Sequence, residues 1–236
     1  MWTPMPRTRV AERMDSPEID PGAHQAALQG LARLNRLSGS ARILWPALRD
    51  MARRAGRAVT VLDVATGSGD IPVRLARRAR ACALDIEWHA CDVSERAITH
   101  AVARAAREGV RLTGHVTDAT RDRLPGRFDA VTCSLFLHHL DEPEVVRALK
   151  AMADAAGRLL LVSDLRRTRA GLMLARIVPR LVTTSSIVHF DAAASVRAAY
   201  QPRELAALAD RAGLAGSTLR HAWPERMLLT WTRQTA

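Results

Sequence analysis

Two histidines and four carboxylates carry most of the chemistry open to this chain. His138 and His139 follow one short apolar run, and Asp164 closes another, 26 residues after His138. Parallel strands of an open sheet deliver their carboxyl ends to one crevice, so a histidine can face Asp164 there. Such a pair has a use. A hydroxyl is a poor nucleophile until it loses its proton, and imidazole titrates near neutrality. A carboxylate on the far ring nitrogen fixes the tautomer and stabilises the imidazolium. Successive residues point in different directions, so His138 is read as the base and His139 as structural or supporting. The candidate catalytic set is His138, His139 and Asp164. Asp63, Asp92 and Asp118 fall inside or just past three earlier apolar runs, and each can accept two hydrogen bonds at once.

Those acids need strands to place them. Thr60 to Val64 is a β-branched and apolar run suited to a strand covered on both faces. Gly67 and Gly69 follow at once, and glycine there admits positive φ and a close ligand. Pro72 suits the first turn of a helix running on through Val73 to Ala81. Free amides at that helix N-terminus then point over the end of the strand; the plain alternative is a strand-to-helix turn with no ligand. The spacing is not the dinucleotide fingerprint G-x-G-x-x-G. Ala65 stands where its first glycine would be, and the third glycine is missing.

With D-x-x-x-G-x-G followed by Asp70, the stretch resembles motif I of the class I S-adenosylmethionine (SAM) methyltransferases. The form D-x-A-x-G-x-G-D is that of the quinone-biosynthesis type. The resemblance implies a SAM site that includes Asp63, Ala65, Thr66, Gly67 and Gly69. It also implies that Asp92, beside Val93 after a second strand at 85–91, accepts hydrogen bonds from the ribose hydroxyls. The rival reading of Asp92 is an N-cap for a helix over 94–108. After a third strand at 111–116 the same logic gives Asp118 the adenine amino group and the Ala119 amide a ring nitrogen; the alternative is a turn carboxylate. Ser134, near the end of a fourth strand at 128–135, completes the implied cofactor set.

The run F-D-x-V-x-x-x-x-x-L-H-H-L-D from Phe128 to Asp141 extends the likeness to small-molecule members of the class. In sugar and phenol O-methyltransferases of this type a histidine–aspartate pair at these places serves as base. The N/D-P-P-Y/F motif of amino methyltransferases is absent, Cys133-Ser134-Leu135-Phe136 standing there instead. The resemblance implies an α/β, Rossmann-like fold with a seven-stranded, mostly parallel sheet in the order 3-2-1-4-5-7-6, strand seven antiparallel. Residues 1–57 are read as a loose tail and helical cap, and 58–236 as the SAM-binding core. Helices over 24–37 and 41–56 form the cap, whose polar residues His24, Asn35, Ser38, Ser40 and Arg42 are not assigned to catalysis. A helix over 144–156 and a turn at Gly157 lead to strand five. An apolar helical insertion within 165–200 is read as the acceptor pocket, or as helices docked without a ligand. A helix from Gln201 to Gly213 and a hairpin of 218–222 with 227–232 close the chain.

The expected acceptor is a small aromatic, polyketide or lipid-like phenolic molecule methylated on oxygen, with ring C-methylation of a quinone as the alternative. A non-catalytic SAM-binding protein and an RNA methyltransferase are weaker readings. The formal charge is +11, yet Lys150 is the sole lysine and 34 of the 35 basic residues are arginine. No aromatic platform interleaves them as single-strand binders require, so nucleic acid is not the expected partner. Three cysteines without C-x-x-C spacing give neither a disulfide framework nor a zinc site, and no ligand cluster for a metal is expected. A cytoplasmic monomer or homodimer is expected, without a transmembrane segment and with peripheral membrane contact left open.

Overall fold

The computed structural model describes residues 5–15 and 18–234. Helices α1 (Pro21–Ser38) and α2 (Ser40–Ala55) precede the first strand and meet at Gly39. That one residue, at φ 73°, ends α1 and starts α2, a left-handed joint that glycine takes at little cost. The side chains of His24, Asn35 and Ser38 lie outside the described residues, while Ser40 is buried and Arg42 exposed.

From there strands and helices alternate: β1 (Val59–Val64), α3 (Asp70–Ala81), β2 (Ile86–Asp92), α4 (Glu95–Arg107), β3 (Leu112–Val116), β4 (Phe128–Ser134), α5 (Glu142–Ala155) and β5 (Ala156–Leu165). Helices α6 (Arg169–Val182), α7 (Ser186–Ala198) and α8 (Pro202–Arg211) follow, then β6 (Thr218–Ala222) and β7 (Arg226–Thr232). The sheet order is β3-β2-β1-β4-β5-β7-β6. Five strands pair in parallel, and β7 runs antiparallel to both β5 and β6. The expected fold class and strand order are those observed.

Alternation along each strand sends side chains to two cores. Leu62, Val64, Val131 and Leu160 pack with Leu149 and Leu205 from α5 and α8. Val61, Ala130 and Leu161 pack on the other face with Leu44, Leu48 and Leu75 from α2 and α3. With both faces covered, the strands pair in register and their carboxyl ends form one rim.

Three local expectations are corrected. Gly157 lies inside β5 rather than in a turn, where a Cβ would come within 3.0 Å of the Phe128 carbonyl oxygen. β4 ends at Ser134, one residue early, because Leu135 turns the chain at φ 58°. The tail is not loose where it is described. The Thr8 amide donates to the Arg197 carbonyl at 3.1 Å, and the Arg13 and Met14 amides donate to the Asp191 carboxylate at 2.8 and 3.1 Å. The insertion at 165–200 is a helix pair, α6 capped by Thr168 and α7 by Ser185.

Candidate active site

The rim at the carboxyl ends of β1, β2, β4 and β5 collects most of the residues singled out above. Ala65 leaves β1 at φ 54°, and the Thr66 amide donates to the Cys91 carbonyl at 3.1 Å. Asp63 is 2% exposed and lies beneath the turn. Its two oxygens accept from the Thr66 hydroxyl at 2.8 Å and the Thr132 hydroxyl at 2.6 Å. Burial pushes its carboxyl up to about 6, against the pull of those hydroxyls. Asp63 therefore braces the turn from below, through Thr66 and Thr132.

The two glycines differ. A Cβ on Gly67, at φ 54°, would meet nothing within 4 Å, so the backbone is open to the crevice. A Cβ on Gly69, at φ 75°, would lie 2.8 Å from Ala101 Cβ and 3.0 Å from Ala101 Cα. Gly69 thus lets α4 approach the start of α3, a packing need that stands beside its implied place at the ligand turn.

Asp92 accepts from the Gly67 amide at 2.9 Å and the Ser94 amide at 3.0 Å, one bond to each oxygen. Each oxygen keeps a further lone pair for a diol. The N-cap of α4 is Ser94, whose hydroxyl accepts from the Ala97 amide, so the capping alternative for Asp92 passes to its neighbour. Val93 is exposed. Asp118 accepts from both the amide and the hydroxyl of Thr120, at 2.8 and 2.6 Å, and the hydroxyl bond holds its carboxyl below the usual range. The turn geometry weighed for Asp118 is present, with Oδ2 not engaged by Thr120. The Ala119 side chain is buried in the core, leaving only its backbone to face a ligand. Ser134 pairs in register with Ser163, and both hydroxyls are buried without a hydrogen-bond partner among the described residues.

At the end of β4 the left-handed Leu135 leads into a 3-10 turn, Leu137–His139. His138, 3% exposed, places Nδ1 at 2.7 Å from Asp164 Oδ1, and its amide donates to Asp164 Oδ2 at 3.2 Å. The Leu165 amide also donates to Asp164, at 2.7 Å. A carboxylate on Nδ1 selects the tautomer protonated there and leaves the lone pair on Nε2. Burial alone would push the His138 imidazole down, but the Asp164 carboxylate outweighs it and the net shift is upward. Asp164 is held below its ordinary value by His138 despite its own burial. His139, with its ring centre 4.2 Å from that of His138, is pushed down to about 3 by burial and by His138.

Two neighbours of this pair escaped the sequence reading. Arg226, expected in the turn of the hairpin, is the first residue of β7 and 4% exposed. Its Nη1 donates to the buried Ser40 hydroxyl at 2.7 Å. Burial pushes the guanidinium down to about 10, and the Asp164 charge opposes that. Glu12, from the tail, brings Oε1 to 4.0 Å from His138 Nε2 and 3.9 Å from His139 Nδ1. The expectation of no metal-ligand cluster is corrected: one ligand atom from each of Glu12, His138 and His139 lies within 4.8 Å of the others. Arg7 fastens the same segment, donating to the Leu140 and Ala198 carbonyls at 2.8 and 2.7 Å.

Residues 61–157 match a family model described as a methyltransferase domain. The ubiquinone biosynthesis O-methyltransferase of Xanthomonas euvesicatoria pv. vesicatoria (strain 85-10) is 30% identical over 180 residues, covering 72% of this chain and 70% of that enzyme. The chain is a class I S-adenosylmethionine-dependent methyltransferase. A relative of the same description from Xanthomonas campestris pv. campestris (strain B100) is 34% identical over 126 residues, with the match spanning about half the length of each protein, 52% and 50%. Among solved structures, this methyltransferase shares its fold with magnesium protoporphyrin IX methyltransferase (ChlM) from Synechocystis PCC 6803 with bound SAH. That pair has a TM-score of 0.57 at 17% identity, over 94% of this chain and 91% of that one. The SAM-dependent methyltransferase SibL in its apo form gives 0.70 at 20% identity, over 98% and 64%.

SAM is the cofactor of this methyltransferase, and the rim fits it on three observations. The Gly67 backbone is open, the N-terminus of α3 has no side-chain cap, and the Ser134 hydroxyl is buried without a partner among the described residues.

Proposed function

We propose that this methyltransferase carries a methyl group to a hydroxyl oxygen of a small aromatic or lipid-like phenolic acceptor. The observation that carries the reading is the buried His138–Asp164 pair at 2.7 Å, with Nε2 left as the proton acceptor. Bound SAM supplies an electrophilic methyl group on a sulfonium. Asp92 and the open Gly67 backbone hold its ribose and methionine side, Asp118 and the Ala119 amide its adenine, and Asp63 with Thr66 and Thr132 keeps the turn in shape. His138 Nε2 would take the proton of the acceptor hydroxyl as its oxygen bonds the methyl carbon and the carbon–sulfur bond breaks, the donor leaving as the neutral thioether. Asp164 holds Nδ1–H and stabilises the charge that forms. Much of the acceleration comes from alignment in a dry pocket.

The α6–α7 pair supports an aromatic or lipid-like acceptor. It borders a cavity of about 380 Å³ whose lining includes Val10, Phe190 and Ala194, with Arg176, Arg180 and Arg197 among them. That volume lies within the range of about 300–1,000 Å³ typical of small-molecule pockets. The relatives named ubiquinone biosynthesis O-methyltransferases support oxygen as the target. Among the described residues, no helix is long and apolar enough to cross a membrane.

The deciding experiment incubates the protein with methyl-labelled SAM and a panel of phenols beside their O-blocked analogues. Label on the free phenols alone is the expected result; label on the blocked analogues would replace oxygen by ring carbon. Asp92→Ala weakens SAM binding by about 1–3 kcal/mol in calorimetry, the range for lost hydrogen bonds to a charged group. Turnover also depends on pH in a stated sense. A base must be neutral, and Asp164 raises the His138 value, so kcat rises with pH through a midpoint above the ordinary imidazole value of 6.5. A limb below that value would place the titrating group elsewhere.

A further inference from the structure

We propose that Glu12, His138 and His139 bind a divalent ion of the zinc class, and that the bound ion locks residues 5–15 over the base and silences it. The silencing, unlike the site, rests on His138 being that base.

The donor set is two imidazole nitrogens and one carboxylate oxygen. Zinc(II) takes three such ligands and keeps a fourth position for water, whereas magnesium and calcium favour oxygen throughout. Zinc holds nitrogen and oxygen at about 2.0–2.2 Å, which puts ligand atoms on one ion roughly 3.4 Å apart in a tetrahedron. The separations of 3.9 and 4.0 Å from Glu12 Oε1 to the two imidazoles are wider than that by less than 1 Å. The two imidazole nitrogens lie within 4.8 Å of each other, so small rotations of Glu12 and of both rings would bring the three ligand atoms onto one ion.

The surroundings are already arranged for ligation. Metal-bound histidines hand their other ring nitrogen to a carboxylate or carbonyl, which orients the ring and raises its basicity. Asp164 does this for His138 at Nδ1. Glu12 Oε1 in turn accepts a short hydrogen bond from the Ser195 hydroxyl of α7. The three ligands come from two parts of the chain, Glu12 from the tail and the histidines from the turn after β4. An ion therefore cross-links the tail to the rim and occupies the Nε2 lone pair that proton removal requires. Ion and acceptor proton compete for one electron pair.

The test uses the full chain, stripped of metal with a chelator, and cobalt(II) as a spectroscopic stand-in for zinc. One equivalent of cobalt should give the visible absorption of a four-coordinate site, and zinc should displace it. Glu12→Ala and His139→Ala should each weaken cobalt binding 10-fold or more while SAM affinity by calorimetry stays at the parent value, which shows that the variants are folded. Absence of the band, or a band unchanged in both variants, overturns the site. Zinc should inhibit methyl transfer over the range in which it displaces cobalt; stimulation there would overturn the silencing and His138 as base. Failure to bind SAM would count against the methyltransferase reading alone, since cobalt absorption needs no SAM.

Discussion

His138→Ala lowers turnover by about 10²-fold or more, the usual share of a positioned base, while SAM affinity is kept. The two effects separate because His138 lies at the end of β4 against Asp164, whereas Gly67 and Asp92 bond each other at the ends of β1 and β2. Removing the imidazole leaves Asp164 buried with, among the described residues, the amides of residue 138 and Leu165 as donors, and a buried charge that loses its partner destabilises strongly. His138→Gln, which keeps a donor for Asp164, distinguishes the cases. It should melt near the parent and still be slow. If either variant turns over at the parent rate with a simple phenol, His138 is not the base.

Gly69→Ala should cost about 2–5 kcal/mol of stability. Forcing an L-residue into left-handed geometry costs roughly 1–2 kcal/mol, and overpacking a tight contact adds about 1–3 kcal/mol. Both apply at Gly69, whose added Cβ would press on the backbone of Ala101 in α4. Gly67→Ala is the control, with the same sign of φ but open space around the new atom. It should lose only the conformational part and show its larger effect in SAM binding. Denaturant midpoints of the two variants decide the matter, and equal losses would refute the distinction between them.

Much of the fold was legible because its signals are local. Apolar runs such as Thr60–Val64 and Leu159–Val162 mark strands buried on both faces, and Pro72 stands in the first turn of the helix it marks. Strand ends brought His138 or His139 to Asp164, and the structure pairs His138 with it. What escaped depends on contacts between segments far apart in the chain. The packing need at Gly69 shows only when α4 is laid against it. Residues 5–15 have no period to read, and their order comes from bonds to α7 and to Leu140. Arg226 sits in Trp-Pro-Glu-Arg, a stretch whose turn chemistry hides the strand that begins there.

The place of β7 bears on how the enzyme is made. It lies between β5 and β6, directly beside the strand that carries Asp164, and its Arg226 reaches back 186 positions to Ser40. A nascent chain on the ribosome that has not yet delivered residues 226–232 has β5 as a bare edge and Asp164 without that flank. The flank of Asp164 is therefore completed only once residues 226–232 are made, and loss of those residues uncovers β5 while leaving the Gly67–Asp92 bond at the other strand ends untouched.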